Sequence, residues 1–346
     1  MKDNRLEVAQ DFTPSLFIVT SPFQGLCAIE AINALQIRKY KIIACVDGSE
    51  RDQQLFTFFN ALDLQFETFN FKKCNIVLQI IKCVFHRKNH GYKRAFLGDV
   101  DSMWQRLVAY DCLSLDSYIA YVDDGTKDIP YLMGLRRFKR SKIWFLEIII
   151  RKILAIRITK FHFTLFSDIA ISQFNCRKNT FSYTLLNLKK KQLNKKDIYF
   201  IGTNSRIYCD KLGIPDDVYL KNLHMQLDML AHSYGEQCVK YIPHGRDMQN
   251  ELIKDICLNV GVCYYPINKA VELYIISCSD MPVAIYGYTS TALFTLKKVY
   301  PEVGVYNILF ANNVSGKCHK DYILYSEYLE RHGVMWIKTL DATLTL

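Results

Sequence analysis

The stretch "LFIVTSPFQGLCAIEAINALQIRKYKIIACVD" (residues 16–47) contains one complete strand–helix–strand unit. Residues 16–22 are rich in Leu, Phe, Ile and Val, which is typical of a buried strand. Residues 25–39 favour a helix, and residues 41–47 favour a second apolar strand. A strand, a crossover helix and a second strand in this order predict parallel strand pairing.

The same alternation continues along most of the chain. The further strands predicted in the first half are 64–71, 94–99 and 117–123. The alternation is predicted to pause in the basic segment 131–196. It then resumes with strands at 198–203, 239–245, 260–266, 282–288 and 303–310. Two successive α/β halves of this kind predict two doubly wound, Rossmann-like domains, 1–190 and 191–346, separated within the lysine-rich stretch 189–196.

Composition narrows the class of protein. The 346 residues are 50% hydrophobic, which excludes a disordered chain, and the formal net charge of +10 suits an anionic partner. The twelve cysteines form no CxxC pair and no zinc-site spacing, so reduced thiols in the cytoplasm are expected. The first twelve residues have no apolar run, and no signal peptide is predicted.

Three polar turns follow predicted strands, one in the first half and two in the second. They lie at residues 123–125, 244–246 and 289–291. In open α/β sheets, ligands bind beyond the carboxyl ends of the strands. The common placement of these turns therefore predicts that they bind or transform a ligand.

The first turn, Asp123-Asp124-Gly125, places two carboxylates at a strand end. A carboxylate in this position can act as a general base, and like-charge repulsion raises the pKa of one member of such a pair. Gly125 allows a tight turn. The alternative interpretation is an ordinary Asp-Gly turn that caps the next element.

The second turn, His244-Gly245-Arg246, offers a cationic side chain and an imidazole, which suit a phosphate. The alternative is an ordinary turn between Pro243 and Gly245 with a surface histidine.

In the third turn, Thr289, Ser290 and Thr291 lie where a strand meets a helix. Hydroxyl groups and N–H groups at a helix N-terminus bind phosphate, and they also cap the helix. Gly202 and Thr203 end another strand, where a glycine permits the close approach of a nucleotide.

Other motifs are weaker. Asp99 and Asp101 form an acid-x-acid pair that either binds a divalent cation or caps a helix beginning near Ser102. Neither GxGxxG nor GxxxxGK[ST] occurs, which excludes the dinucleotide and Walker motifs. No RNA-binding motif accompanies the basic charge, so no nucleic-acid partner is expected.

In this order, the three turns resemble those of bacterial sialyltransferases, most closely glycosyltransferase family 52, which includes lipooligosaccharide sialyltransferases. Members have an acid-acid-Gly turn, a later His-Pro turn and a still later Ser-Ser/Thr pair. Residues 16–32, 160–167 and 271–296 are also similar to the family, so the resemblance runs roughly from residue 16 to residue 310. Gly245 departs from the pattern, because the family usually has proline there.

The resemblance implies a GT-B architecture, with two Rossmann-like domains facing across a cleft. It implies inverting transfer from CMP-sialic acid, bound mainly by the second domain, without a metal or other cofactor. The acceptor would be a galactose-terminated glycan of a bacterial surface lipooligosaccharide, O-antigen or capsule. Asp123 would be the base beside Asp124, or the two would exchange roles. His244 would be the third catalytic residue and would stabilise or protonate the leaving CMP phosphate. The residues expected to bind the donor are Gly202, Thr203, His244, Gly245, Arg246, Thr289, Ser290 and Thr291.

Several alternatives stay open at this point. The donor can be CMP-Kdo or another CMP-nonulosonic acid, and a capsule polysialyltransferase has the same motif order. A non-enzymatic basic protein that binds membrane or nucleic acid also fits the charge. Residues 136–160 have nine Lys and Arg against one acid, and predict either peripheral contact with the anionic inner face of the cytoplasmic membrane or a core helix with a basic face. Some relatives form homodimers, and the sequence does not decide the oligomeric state.

Overall fold

Each half of the chain is built on its own parallel β-sheet. The computed structural model describes residues 10–85, 91–135, 143–184, 194–195, 197–244, 247–278, 280–310 and 319–338. The two halves form separate units, Met1–Leu186 and Asn187–Leu346, called here the first and second domains. The predicted boundary at residues 190 and 191 lies outside the described residues and stays a prediction.

The first domain has a seven-stranded sheet in which every pair of neighbours is parallel. Its strands are β1 (Ser15–Val19), β2 (Tyr40–Val46), β3 (Glu67–Asn70), β4 (Tyr92–Leu97), β5 (Leu113–Val122), β6 (Arg157–Thr164) and β7 (Asn175–Lys178). They are arranged in the order β3-β2-β1-β4-β5-β6-β7, so the chain changes direction across the sheet between β1 and β4. Such a change of direction is a topological switch point, where ligands bind in open α/β sheets.

Six helices that lie wholly within the described residues connect and cover these strands. They are α1 (Pro22–Ala34), α2 (Glu50–Ala61), α3 (Ile76–Phe85), α4 (Met103–Cys112), α5 (Ile129–Leu132) and α6 (Trp144–Ile153). Ser21 begins α1, because its side chain accepts a hydrogen bond from Gln24 N and Pro22 supplies a preset backbone angle. Across the described ranges, no helix has both the length and the apolar character that a transmembrane span requires.

The predicted pause over residues 131–196 is wrong in the first domain. Strands β6 and β7 lie within that segment and extend the sheet beyond β5. Basic residues Arg157 and Lys160 are exposed on β6, whereas Phe163 at its end is buried. The strand therefore has solvent-facing charges at its start, which obscured its apolar pattern.

The second domain repeats the plan with a six-stranded parallel sheet. Two short strands, β8 (Asn194–Lys195) and β12 (Asp280–Met281), pair separately. The main strands are β9 (Ile198–Ile201), β10 (Val239–Ile242), β11 (Cys263–Tyr264), β13 (Ala284–Tyr288), β14 (Gly304–Leu309) and β15 (Met335–Lys338). Their order is β11-β10-β9-β13-β14-β15, with the change of direction between β9 and β13. The prediction of two Rossmann-like α/β domains is confirmed.

The helices of the second domain alternate with its strands. They are α7 (Ser205–Leu212), α8 (Asp216–Tyr234), α9 (Asn250–Asn259), α10 (Val271–Ser277), α11 (Thr291–Val299) and α12 (His319–Arg331). Their core is rich in tyrosine, including the fully buried Tyr219, Tyr241 and Tyr288. Of these three, Tyr288 has a partner for its buried hydroxyl, because its Oη donates to Asn222 Oδ1 over 3.1 Å.

A buried ion pair joins two helices of the first domain. The Arg106 Nε of α4 donates to the Glu147 Oε1 of α6 over 3.1 Å, and both side chains are almost wholly excluded from solvent. The Arg106 Nη1 also donates to the Val100 carbonyl over 2.9 Å. Removing one member of such a pair leaves the other charge buried without compensation.

We expect Glu147→Gln to lower the free energy of unfolding by about 3 kcal/mol, because the Arg106 guanidinium stays buried and charged. Urea denaturation measures this change. Asp116→Asn is the matched control, since Asp116 pairs with Arg157 at 3.5 Å on an exposed surface. We expect that control to change stability by no more than about 0.5 kcal/mol. An effect of Glu147→Gln as small as that of the control would contradict a stabilising role for the buried pair.

Candidate active site

A polar cluster of the first domain lies at the carboxyl ends of β1, β4 and β5, beside the switch point. Thr20 follows β1, Asp99 follows β4, and Asp123 and Asp124 follow β5. Because these strands are parallel neighbours, residues that follow them meet at one edge of the sheet. The fold thus brings together side chains that are about a hundred positions apart in the sequence, such as Gln24 and Asp124.

Gln24, in the first turn of α1, fixes the position of Asp124. Its Nε2 donates to Asp124 Oδ1 over 2.5 Å. Its Oε1 accepts hydrogen bonds from Thr20 N at 2.7 Å and from Gln105 Nε2 at 3.2 Å. The Thr20 hydroxyl donates to the same oxygen over 3.1 Å, and because three donors face this oxygen, the amide nitrogen faces the carboxylate. Gly98 leaves room for this carboxamide, since a Cβ atom there would overlap the Gln24 side chain.

Lys127 bridges two of the acids. Its Nζ donates to Asp99 Oδ1 over 2.8 Å and to Asp124 Oδ2 over 3.2 Å. Burial acts to lower the pKa of Lys127, but the charges of Asp124 and Asp99 outweigh it and raise that pKa. The ammonium group therefore stays protonated and offsets the repulsion between the two carboxylates.

The side chain of Asp124 is 16% exposed, so solvent reaches it although both of its oxygens accept hydrogen bonds. Burial, followed by the charge of Asp99, raises the pKa of Asp124, while Lys127 and Gln24 oppose that rise. Each carboxylate oxygen has two lone pairs and accepts one of these hydrogen bonds, which leaves capacity for one more donor on each oxygen. Asp124 is accordingly able to accept a proton from a bound hydroxyl group.

Asp123 lies on the inner side of the same turn and is only 1% exposed. Its Oδ2 accepts a hydrogen bond from Leu165 N over 2.7 Å, which ties the end of β5 to the end of β6. Burial, with a smaller contribution from the charge of Asp124, raises the pKa of Asp123 to about 7, against hydrogen bonds from Thr164 and Leu165. The geometry thus favours Asp124 as the base, whereas the sequence placed Asp123 first.

The turn around the two acids depends on Gly125 and Asp128. Gly125 has φ +91° and ψ −154°, a conformation that side chains rarely adopt. Asp128 is buried, and its Oδ2 accepts a hydrogen bond from Asp124 N over 2.7 Å. Sequence analysis missed Asp128, Lys127 and Gln24, although the i, i+3 spacing of Asp124 and Lys127 was available as a signal.

Asp99 and Asp101 do not form an isolated carboxylate pair. Asp99 Oδ1 accepts a hydrogen bond from Asp101 N over 2.8 Å and also binds the Lys127 ammonium. Within the part of the chain that the structure describes, no three His, Cys, Asp or Glu side chains group as ligands of a metal ion. A lysine cation, rather than an open carboxylate site, therefore lies beside Asp99.

In the second domain, three of the predicted segments follow the adjacent strands β10, β9 and β13. Gly202 N donates to Ile242 O over 2.8 Å, which extends the pairing of β9 with β10 by one step. A Cβ atom at Gly202 would overlap the Tyr241 hydroxyl, so this strand end has room only for glycine. Thr203 and His244 follow these two strands and are half-buried.

Asp247, a buried acid that sequence analysis missed, fixes the turn after β10. It accepts hydrogen bonds from Ser205 Oγ at 2.5 Å and from Ser205 N at 3.2 Å, at the start of α7. Its own N–H donates to the His244 carbonyl over 2.9 Å. The positions of His244 and of the α7 N-terminus are therefore coupled. Gly245 and Arg246 lie outside the described residues, and their predicted roles stay predictions.

The third turn divides its hydroxyl groups between two tasks. Ser290 caps α11, because its Oγ accepts a hydrogen bond from Ala292 N over 3.2 Å. Thr291 is the first residue of that helix and is half-buried. Thr289 Oγ1 instead donates to Asn307 Oδ1 over 3.1 Å, within a buried polar group that includes Ser326. Ser290 and the first turn of α11 thus remain the better candidates for binding a phosphate.

No protein-family model matches this sequence, and the search of curated proteins finds no match. Among solved structures, a Listeria monocytogenes protein assigned as a UDP-N-acetylglucosamine 2-epimerase is 8% identical, with a TM-score of 0.51 over 94% of this chain and 90% of its own. Another UDP-N-acetylglucosamine 2-epimerase is 9% identical, with a TM-score of 0.50 over 88% and 80%. The fold is GT-B. At these identities the similarity shows the fold alone, and the prediction of GT-B architecture is confirmed.

An E. coli heptosyltransferase with bound ADP is also similar, at 9% identity over 93% of this chain and 99% of its own. Its TM-score of 0.40 is too low to support a conclusion. The GT-B class describes two Rossmann-like domains in one chain. The predicted cleft between them, and the predicted division of catalytic tasks, stay predictions.

Asp123→Asn is expected to change how stability depends on pH. Between about pH 4 and pH 7 the unfolded carboxyl group has lost its proton, while the native group, with a pKa of about 7, retains it. In this window the native state binds one more proton at Asp123 than the unfolded state does. The free energy of unfolding therefore falls as pH rises through the window. Asparagine cannot ionise, and the variant should therefore gain stability relative to wild type from pH 4 to pH 7.

Urea denaturation at several pH values in this window provides the measurement. The exposed Asp116 supplies the matched control, and Asp116→Asn is expected to follow the wild-type pH profile. Parallel profiles for Asp123→Asn and wild type would show that Asp123 is ionised in the native protein.

Proposed function

We propose that this protein is an inverting, metal-independent sialyltransferase. It transfers sialic acid from CMP-sialic acid to a galactoside hydroxyl of a bacterial surface glycan, namely a lipooligosaccharide, O-antigen or capsule. The observation that supports this most is the position of Asp124 at the carboxyl edge of the first sheet, between the Gln24 carboxamide and the Lys127 ammonium. The order of the three turns and the resemblance to glycosyltransferase family 52 supply the donor and the acceptor class.

In the proposed reaction, Asp124 accepts the proton of the acceptor hydroxyl while that oxygen attacks the anomeric carbon of the donor. The new glycosidic bond forms as the bond from the anomeric carbon to the phosphate oxygen breaks, and CMP leaves with the bonding electrons. Inversion follows because attack and departure occur on opposite faces of the sugar. The raised pKa of Asp124 makes its carboxylate a stronger base than an exposed aspartate.

The second domain is proposed to bind the CMP moiety. Ser290 and the N–H groups of the first turn of α11 would donate to the phosphate, where charge develops in the transition state. His244 would stabilise or protonate the same phosphate, and Arg246 would add positive charge. Gly202 and Thr203, which follow β9, would contact the nucleotide at the end of that strand.

Lys127 and Gln24 have a defined role in this proposal. They hold Asp124 in one rotamer and compensate its charge before the acceptor binds, so that little reorganisation is needed during proton transfer. Asp123 and Asp128 then support the turn from inside, where burial favours their protonated forms. The two adjacent acids of the sequence thereby receive different tasks.

The protein is also proposed to contact membranes peripherally from the cytoplasmic side, since its proposed acceptor is lipid-linked. Residues 136–142 of the basic region lie outside the described residues. Its central part forms α6, whose outer face is apolar, and its end forms the start of β6. A homodimer stays a proposal based on the resemblance.

The decisive experiment is incubation of the purified protein with CMP-sialic acid and a panel of labelled galactosides, followed by mass and linkage analysis. CMP-Kdo and UDP-N-acetylglucosamine serve as competing donors. We expect a sialylated galactoside whose yield is unchanged in excess EDTA. Loss of all turnover in EDTA would support a metal at Asp99 and Asp101 instead. No product, together with no rise in Tm on adding CMP, would favour a non-enzymatic binding protein.

Asp124→Asn is expected to lower kcat by about 10²- to 10⁴-fold, because asparagine cannot accept the proton of the acceptor hydroxyl. The rise in Tm caused by CMP should stay at its wild-type value, since the proposed donor site lies in the second domain. Asp123→Asn is the matched variant one position away, and it should retain most of the activity. Near-complete loss of activity in Asp123→Asn with normal activity in Asp124→Asn would reverse the assignment.

A further inference from the structure

Helix α3 of the first domain exposes three of its apolar residues to solvent and buries the polar residue Gln79 against the protein. Gln79 and Cys83 are buried, whereas Val77 and Leu78 are each 58% exposed and Ile81 is exposed as well. A water-exposed helix normally has the opposite arrangement, with apolar residues inside and polar residues outside. The outer face of helix α3 is therefore mainly apolar, with Lys82 as its exposed charged residue.

Helix α6 has the same inverted arrangement. Glu147 and Ile150 point inward, and the helix exposes five large apolar side chains. These are Trp144, Phe145, Leu146, Ile149 and Ile153. Phe145 is the most exposed of them, at 62%. Single exposed apolar residues are common, but eight on two neighbouring helices are typical of an interaction surface.

Polar contacts on the inner side fix both helices in this orientation. Gln79 Nε2 of α3 donates to Asp111 Oδ2 of α4 over 3.3 Å. Glu147 of α6 pairs with Arg106 of the same helix α4. Helices α3 and α6 also contact each other, so their apolar outer faces are neighbours. Rotating either helix to turn its apolar face inward would break one of these buried polar contacts. It would also move Gln79 or Glu147 away from its partner on α4.

The exposed charges on α3 and α6 themselves are positive. On α3 and α6 the only acid is Glu147, which is buried and paired with Arg106. The basic residues Lys82 and Lys152 are exposed, and Arg151 is half-buried. Lysine side chains beside an apolar surface can extend their ammonium groups toward anionic headgroups while their alkyl chains remain among apolar groups.

We propose that the outer faces of α3 and α6, defined here as the α3/α6 surface, dock on an anionic lipid bilayer. Each helix has ten residues, which is about half the length needed to span a bilayer, so both would lie in the plane of the interface. A second copy of this chain is a poorer occupant, because its own α3/α6 surface would present like charges. This inference deepens the peripheral membrane contact of the proposed function, on which it rests, by adding α3 to the predicted region of residues 136–160. It does not depend on the transfer reaction itself.

Flotation with vesicles tests this proposal directly. The full chain is mixed with vesicles of phosphatidylglycerol and phosphatidylcholine, or with vesicles of phosphatidylcholine alone. We expect flotation with the anionic vesicles, much less with the neutral ones, and release at high salt. Leu78→Glu and Phe145→Glu should each reduce the vesicle-bound fraction by about tenfold or more, since each replaces a membrane-inserted side chain by an acid.

Two controls separate membrane docking from general effects. Leu258→Glu is the matched variant, because Leu258 is 78% exposed on α9 of the second domain, and it should float like wild type. Fluorescence of Trp144, one of three tryptophans, should be quenched by brominated lipid, and Trp144→Phe should abolish that component. Circular-dichroism melting confirms that each variant is folded.

The proposal would be overturned if folded Leu78→Glu and Phe145→Glu floated with anionic vesicles as wild type does. It would also be overturned if the wild-type protein bound neutral and anionic vesicles equally. A concentration-dependent dimer that these variants abolish, without any vesicle binding, would assign the surface to a second copy and also overturn it. Activity on soluble galactosides is measured separately, so failure of the transfer reaction and failure of membrane docking give different results.

Discussion

The carboxamide of Gln24 is the contact on which the first-domain cluster depends. Its oxygen accepts N–H groups from the end of β1 and from α4, and its nitrogen donates to Asp124 after β5. Hydrogen bonds from three elements that are distant in the sequence therefore fix the position of the Asp124 carboxylate. Lys127 completes the arrangement, because its single positive charge binds both Asp124 and Asp99 and reduces the repulsion between them. The Asp124 carboxylate is thus fixed at the sheet edge without being wholly desolvated. A general base requires both a fixed position and access to the proton that it accepts.

In the second domain, different residues fix the polar turns at the strand ends. Its polar turns also follow adjacent parallel strands at a switch point, and Asp247 ties two of them through Ser205 and the His244 backbone. The hydroxyls of its third turn differ in direction, since Thr289 points into a buried polar group and Ser290 caps a helix. In each domain, a buried acid supports a neighbouring turn whose own polar groups remain reachable. This division between support and contact is the physical basis of the proposed reaction.

The sequence predicted the fold class and most strands, because residues such as 16–19 and 284–288 are buried on both faces of a parallel sheet. It did not predict β6 and β7, whose exposed basic residues interrupt the apolar pattern. It located the acidic turn but not the different positions of Asp123 and Asp124. The positions of the two acids depend on Leu165, which lies 42 residues away and donates its N–H to Asp123. Asp124 then lies on the opposite side of the strand end. Long-range hydrogen bonds of this kind have no local pattern that a sequence can reveal.

The tyrosine-rich core of the second domain has a consequence at alkaline pH. Burial raises the pKa of Tyr219, Tyr241 and Tyr288 well above that of a free phenol. In the unfolded chain these phenols ionise near pH 10, whereas in the native core they keep their protons. Base therefore acts as a denaturant for this half of the molecule, and a core built from phenols sets an upper alkaline limit that a phenylalanine core would not have.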